Sequence, residues 1–187
     1  MVGAYGIAFA SADLGLTWRS LMSRLPNPEG LHIYAVRRQG QTLLMAGERG
    51  LLLRSTDGGA SYVSLESPFE GSLFTAELLS ESDIVVAGLK GSLLRSRDGG
   101  QAWTAIDAGE SASFTASSLG SDGTLYLASQ SGQLRAWPRA GALHPVNRQP
   151  LPALNGVLRT NHDQVILLSD RGVSTLQLPA QGEVSLK

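Results

Sequence analysis

Cysteine is missing from all 187 residues, so no disulfide, thiolate metal site or cysteine nucleophile is available. Charge of one sign is also missing. The 15 basic and 16 acidic side chains leave a net charge of −1, which argues against a nucleic-acid-binding face. No apolar run approaches the roughly 18 residues of a spanning helix, so direct membrane insertion is not expected. The opening MVGAYG has no basic stretch leading into an apolar one, so no export signal is visible. Helical periodicity is absent as well: no segment sustains i, i+3, i+4, i+7 spacing over three turns. The three histidines, His32, His144 and His162, stand apart, and no Gly-x-Ser-x-Gly string occurs. Neither a metal or cofactor site nor a hydrolase triad is expected.

What the chain does have is a repeat. Aligned on Gly6, Gly50, Gly91, Gly132 and Gly172, one thirteen-residue segment recurs at spacings of 44, 41, 41 and 40 residues. The first three copies read GIAFASADLGLTW, GLLLRSTDGGASY and GSLLRSRDGGQAW; the last two have faded. A period near 40 marks a supersecondary unit that buries its apolar face only against a neighbour.

Within the second repeat, residues 31–36, 42–47, 51–55 and 62–65 are short strand-forming runs separated by turn residues. The third repeat gives strands at 74–78, 84–88, 92–96 and 103–106. The fourth gives 114–119, 125–129, 133–137 and 144–147, and the fifth 154–159, 165–169, 173–178 and 184–187. Four short strands per repeat predict an all-β propeller of four-stranded antiparallel blades, here called a to d from the first strand of each blade. The blades lie at about 1–25, 31–66, 72–107, 112–147 and 153–187, in one propeller domain. Gly3 takes the register of Gly47 and Gly88, so the first blade begins inside strand b and lacks its inner strand a. An incomplete propeller of about five blades leaves strand edges open. The expectation is self-association, or membership of a longer protein.

Three copies carry S-x-D-x-G-x-x-aromatic: Ser11, Asp13, Gly15, Trp18; Ser55, Asp57, Gly59, Tyr62; and Ser96, Asp98, Gly100, Trp103. An Asp can accept hydrogen bonds from the N–H groups of its own turn, and glycine permits the positive φ of a tight c–d connection. The aromatic can fold back onto neighbouring strands. The fourth and fifth copies put Arg139 and Pro179 at the Asp register and His144 and Val184 at the aromatic one, so those blades must close by other means.

This pattern resembles the Asp-box, or BNR repeat, of sialidases and other propellers. The fuller string, Ala46-Gly47, Gly50, Arg54-Ser55, Asp57-Gly58-Gly59, and again Ala87-Gly88, Gly91, Arg95-Ser96, Asp98-Gly99-Gly100, is similar to propellers related to the photosystem II assembly factor. That group is also widespread in non-photosynthetic bacteria. The resemblance implies a non-enzymatic, exported propeller, hence a periplasmic or extracytoplasmic setting, with a cytoplasmic one left open. It implies that the box residues are structural. The sialidase alternative, a glycan-binding or glycan-cleaving propeller, requires an F/Y-R-I-P element that is absent; Arg24-Leu25-Pro26 is the nearest string. Tyr5 and Tyr34 have no Glu partner that the sequence identifies.

Strand order puts the b–c and d–a loops on one rim and the box turns on the other. The residues before the aligned glycines are Tyr5, Arg49, Lys90, Ser131 and Arg171, and the d–a loops end in Glu29, Glu70 and Glu110. A recurring cation beside a recurring carboxylate reads either as exposed ion pairs or as a polar surface that docks a protein partner. Phe69, at a bend on the same rim, is either a partner contact or a cap on the blade core. Arg54 and Arg95 share a further register and are expected between blades, their stems packed. The function expected is a non-catalytic scaffold docking a protein partner, in assembly or maintenance of an envelope or membrane complex.

Overall fold

The computed structural model describes residues 1–160 and 163–178. His162, Pro179 and the fourth strand expected at 184–187 lie outside them. The chain divides into two compact units, residues 1–114 and 115–187.

The first unit opens with a two-stranded sheet, β1 (Phe9–Ala10) and β2 (Arg19–Ser20). Two full blades follow. One is β3 (Ile33–Gln39), β4 (Thr42–Gly47), β5 (Leu52–Ser55) and β6 (Val63–Ser64). The other is β7 (Leu73–Leu78), β8 (Ile84–Gly88), β9 (Leu93–Ser96) and β10 (Thr104–Ala105). In both, the strands pair in chain order and antiparallel. The unit boundary falls just after the first residue of β11 (Phe114–Leu119). That strand heads a further blade with β12 (Leu125–Ser129), β13 (Leu134–Trp137) and β14 (His144–Pro145). The second unit then adds β15 (Leu154–Arg159), β16 (Gln164–Ser169) and β17 (Gly172–Gln177).

The b strands read as continuous apolar runs because both of their faces are covered. Every residue of β8 and β12 is buried. In the first unit, Leu44 and Leu52 of one blade pack against Leu73, Ile84 and Leu94 of the next. In the second, Tyr126 and Leu134 pack against Leu154, Val165 and Leu167. Each fully buried Leu or Ile contributes about 1.5–3 kcal/mol. The d strands β6 and β10 are exposed throughout, which is why they shrink to two residues.

Gly3 does occupy the register of Gly47 and Gly88: the N–H of each donates to the carbonyl four residues on, Ile7, Leu51 and Ser92 respectively. Val2 bridges Ala8 in place of a longer strand b. In three blades strand a carries a bulge near its start, between Ile33 and Ala35, Leu73 and Thr75, and Leu154 and Gly156. The unpaired extra residues are Tyr34, Phe74 and Asn155. Tyr34 and Phe74 are each more exposed than the buried residues on either side of them.

Candidate partner-docking rim

The two rims have different local chemistry. On the box side, the Ser11 hydroxyl donates to Asp13 at 2.7 Å and accepts the N–H of Gly15 at 2.7 Å. Ser55 and Ser96 repeat this with Asp57 and Gly59, and with Asp98 and Gly100. Each Asp accepts N–H groups from the far side of its turn: Thr17, Ala60 and Ser61, Gln101 and Ala102. A hydroxyl adds to this in two copies, Thr17 to Asp13 at 2.5 Å and Ser61 to Asp57 at 2.6 Å. These donors hold Asp13 down to about 2, the Thr17 hydroxyl first among them. Asp57 is lowered chiefly by the Ser61 hydroxyl. Asp98 is lowered chiefly by the backbone N–H of Ala102, which has no hydroxyl to give.

The box aromatics are not equivalent. Tyr62 is buried in the core between the first two blades, and burial raises its phenol above the usual value. Trp103 is partly buried against the next core cluster. Trp18 is half exposed, contrary to a uniform fold-back, and its indole donates to the carbonyl of Gly15 at 3.0 Å. In the fourth blade the hairpin closes through Asn147, which accepts from the Leu134 N–H at 2.7 Å and donates to the Gly132 carbonyl at 2.9 Å.

The opposite rim is built from tight b–c turns. Gly50 has φ +76, and a Cβ there would sit 2.3 Å from the Phe69 carbonyl; at Gly91, φ +70, it would sit 2.0 Å from that of Glu110. Both glycines meet the d–a loop of the following blade, which explains why this position anchors the repeat. The residue before each is forced into the left-handed region without being glycine: Tyr5 at φ 54, Arg49 at φ 53 and Lys90 at φ 57. All three side chains are exposed. Ser131 and Arg171 are not left-handed, so the five positions aligned in sequence are three of a kind in structure.

Arg49 pairs with Glu29 at 2.8 Å, both well exposed. Lys90 has no ion-pair partner among the described residues. Glu110 turns its carboxylate onto the N–H groups of Ser111 and Ala112, and Glu70 is exposed. Arg171 belongs to the second unit. Phe69 packs on the core between blades, so it is a cap rather than an exposed anchor. Of the two interblade arginines expected, Arg54 reaches the next blade, donating to the Glu81 carbonyl at 2.9 Å. Arg95 stays in its own blade and grips Asp83 through two hydrogen bonds, which raise its guanidinium above the usual value.

Beside the turns runs an aromatic row that the sequence pattern does not disclose. Tyr5 meets His32 edge-on at 4.8 Å, His32 meets Tyr34 at 6.2 Å, and Tyr34 meets Phe74 at 5.3 Å. Tyr5 is 74% and Tyr34 42% exposed. Tyr34 stands exposed between buried Ile33 and Ala35, as strand alternation gives, and the bulge falls at the same place. Further along the same strands, Arg37 holds the buried Glu77 carboxylate of the next blade at 3.0 Å.

Blades of antiparallel strands in chain order, interleaved by paired apolar faces, define an all-β propeller, incomplete in this chain. The sequence matches that of the photosynthesis system II assembly factor YCF48 family over residues 1–149, and the chain belongs to that family. Among solved structures, it is similar to YCF48 bound to D1 peptide, with a TM-score of 0.74 and 20% identity over 93% of this chain and 60% of the other. YCF48 from Cyanidioschyzon merolae gives 0.74 and 18%, over 96% and 62%. A virginiamycin B lyase from Staphylococcus aureus gives 0.67 and 13%, over 97% and 69%. The chain thus spans about three fifths of the length of the two YCF48 structures. No curated protein matches it in sequence. The lyase carries the same fold with an enzyme's name, so fold alone does not decide catalysis.

Proposed function

We propose that this chain is part of a non-catalytic propeller scaffold that holds an extended segment of a partner protein along the b–c rim of residues 1–114. We place it in the assembly or maintenance of an envelope or membrane complex, and in a periplasmic or extracytoplasmic setting. The observation that carries this is the row Tyr5, His32, Tyr34 and Phe74, with Tyr5 and Tyr34 exposed and His32 and Phe74 partly so, beside the turns that present Arg49 and Lys90. Aromatics at low conformational cost with a cation alongside are the usual makings of a protein-binding surface. Membership of an assembly-factor family supports it, and so does the peptide bound by the similar YCF48. A carboxylate-gripping arginine cluster of the sialidase kind finds no support. Arg37, Arg49, Arg54, Arg95 and Arg159 each spend themselves on a different acceptor.

A photo-crosslinking residue placed at Tyr5 or Tyr34 in cells tests the reading. Both positions should yield one and the same adduct, and Val63, as exposed but on strand d, should not. An adduct shared with Val63, or none from either tyrosine, would refute it.

A further inference from the structure

The first unit contains a cleft of about 340 Å³ outside the aromatic row. Its walls are Pro68 and Phe69 from the d–a loop, Ser92 and Leu94 from the b–c turn and β9, and Trp103 and Ile106 beside β10. The repeat explains its origin. Ser92 stands in the register of Leu51, which is buried and fills the core between the first two blades. Shrinking that residue to serine in the third repeat removes the side chain that would close the gap.

Two polar groups in this cleft have no partner. The Ser92 hydroxyl and the Trp103 indole Nε1 are both shielded from solvent and make no hydrogen bond. The equivalent indole of Trp18 does make one, to Gly15. Ser92, Leu94, Trp103 and Ala105 lie on one face of the β9–β10 pair, by the alternation of strands and the Leu94–Ala105 register. Phe69 is held in place by the Ser67 hydroxyl, which accepts its N–H at 3.2 Å and donates to its carbonyl at 2.9 Å. A water occupies roughly 30 Å³, so one bridging water would leave most of this apolar-walled space unfilled.

We infer that the cleft is a binding site for a neutral apolar group carrying a carbonyl acceptor, supplied as a prolyl residue of the partner segment. No charged side chain lines it, so a charged ligand would be desolvated without compensation. An indole N–H only donates, so the ligand must accept. Proline is the apolar residue that brings an acceptor and no backbone N–H in need of a partner. Seating it requires side-chain rotation at Ser92 and Trp103, a change common at interfaces. The cleft begins at Gly91, the residue after Lys90, continuous with the docking rim, and its biological source rests on that reading of the rim.

Titration of ¹⁵N-labelled chain with N-acetylproline N-methylamide tests the site. The three tryptophan indoles are assigned with Trp18→Phe and Trp137→Phe variants. The Trp103 indole proton should shift downfield saturably while that of Trp18 stays put. Ser92→Leu should weaken the titration about tenfold or more with no loss of stability, and Ser92→Ala should weaken it without filling the cleft. Acetate should give no shift. An unresponsive Trp103 indole, as for a cleft holding water only, overturns the proposal. So does a shift of all three indoles together, or one indifferent to both Ser92 variants. Tyr5→Ala with Tyr34→Ala should leave this titration intact, so failure of the rim reading and failure of the cleft are told apart.

Discussion

Three residues held at nearly the same left-handed angles offer an internal comparison. Tyr5, Arg49 and Lys90 have φ of 54, 53 and 57 and ψ of 35, 38 and 34. A left-handed non-glycine residue costs about 1–2 kcal/mol. Replacing it with glycine removes that cost and adds back about 0.5–1 kcal/mol of unfolded-chain entropy. Lys90→Gly, with no ion pair to lose among the described residues, should therefore stabilise the first unit by about 0–1.5 kcal/mol. Arg49→Gly also forfeits an exposed ion pair worth about 0–1 kcal/mol, so its gain should be smaller by about 0.5 kcal/mol. Tyr5→Gly loses the ring contact with His32, about 0.5–1.5 kcal/mol, and should be neutral to mildly destabilising. Urea unfolding in a Trp137→Phe background reads this, because Trp18 and Trp103 then report on residues 1–114 alone. The order should be Lys90→Gly, Arg49→Gly, Tyr5→Gly, most stable first. A destabilised Lys90→Gly, or Tyr5→Gly at the top, would refute the strain argument.

The box carboxylates should show in acid. Asp13 is lowered in the folded state, so its contribution is full above its ordinary value of 3.8 and is lost as pH falls towards about 2. NMR titration should place Asp13 below Asp98, and Ala102→Ser, which supplies the hydroxyl Thr17 gives Asp13, should lower Asp98 further; an unmoved Asp98 would contradict the assigned cause. Thermal or denaturant unfolding should find Leu44→Ala destabilised by about 2–5 kcal/mol, since Leu44 is fully buried. Trp18→Ala, at 50% exposure, should cost well under that, and equal losses would contradict the unequal packing of the box aromatics.

The middle strands were legible in sequence, and for physical reasons. Residues 42–47, 84–88 and 125–129 form strands with those same bounds, because burial on both faces leaves an unbroken apolar run between turn residues. Strand a of the second blade instead runs on to Gln39, through Arg37 and Arg38. Charge there looks like loop, until Glu77 of the next blade supplies a counter-ion for Arg37. The aromatic row was not legible, because alternation sets the faces within one strand but not which rings of neighbouring repeats meet, as Tyr5 meets His32 and Tyr34 meets Phe74. The hydroxyls of Thr17 and Ser61 escaped notice because the third box has Ala102 in that register. The cation at the b–c turn was legible from its repeat, but its left-handed backbone was not, since only glycine advertises positive φ.

The affinity of the crosslinked partner segment for three proteins tests the central claim most directly: the parent chain, the Tyr5→Ala/Tyr34→Ala variant and Asp57→Ala. The account predicts that the tyrosine pair weakens binding about tenfold or more with stability unchanged, and that Asp57→Ala lowers stability while leaving affinity intact where the protein is folded. Binding that survives loss of both tyrosines but fails with Asp57 would place the partner on the box side and contradict the account.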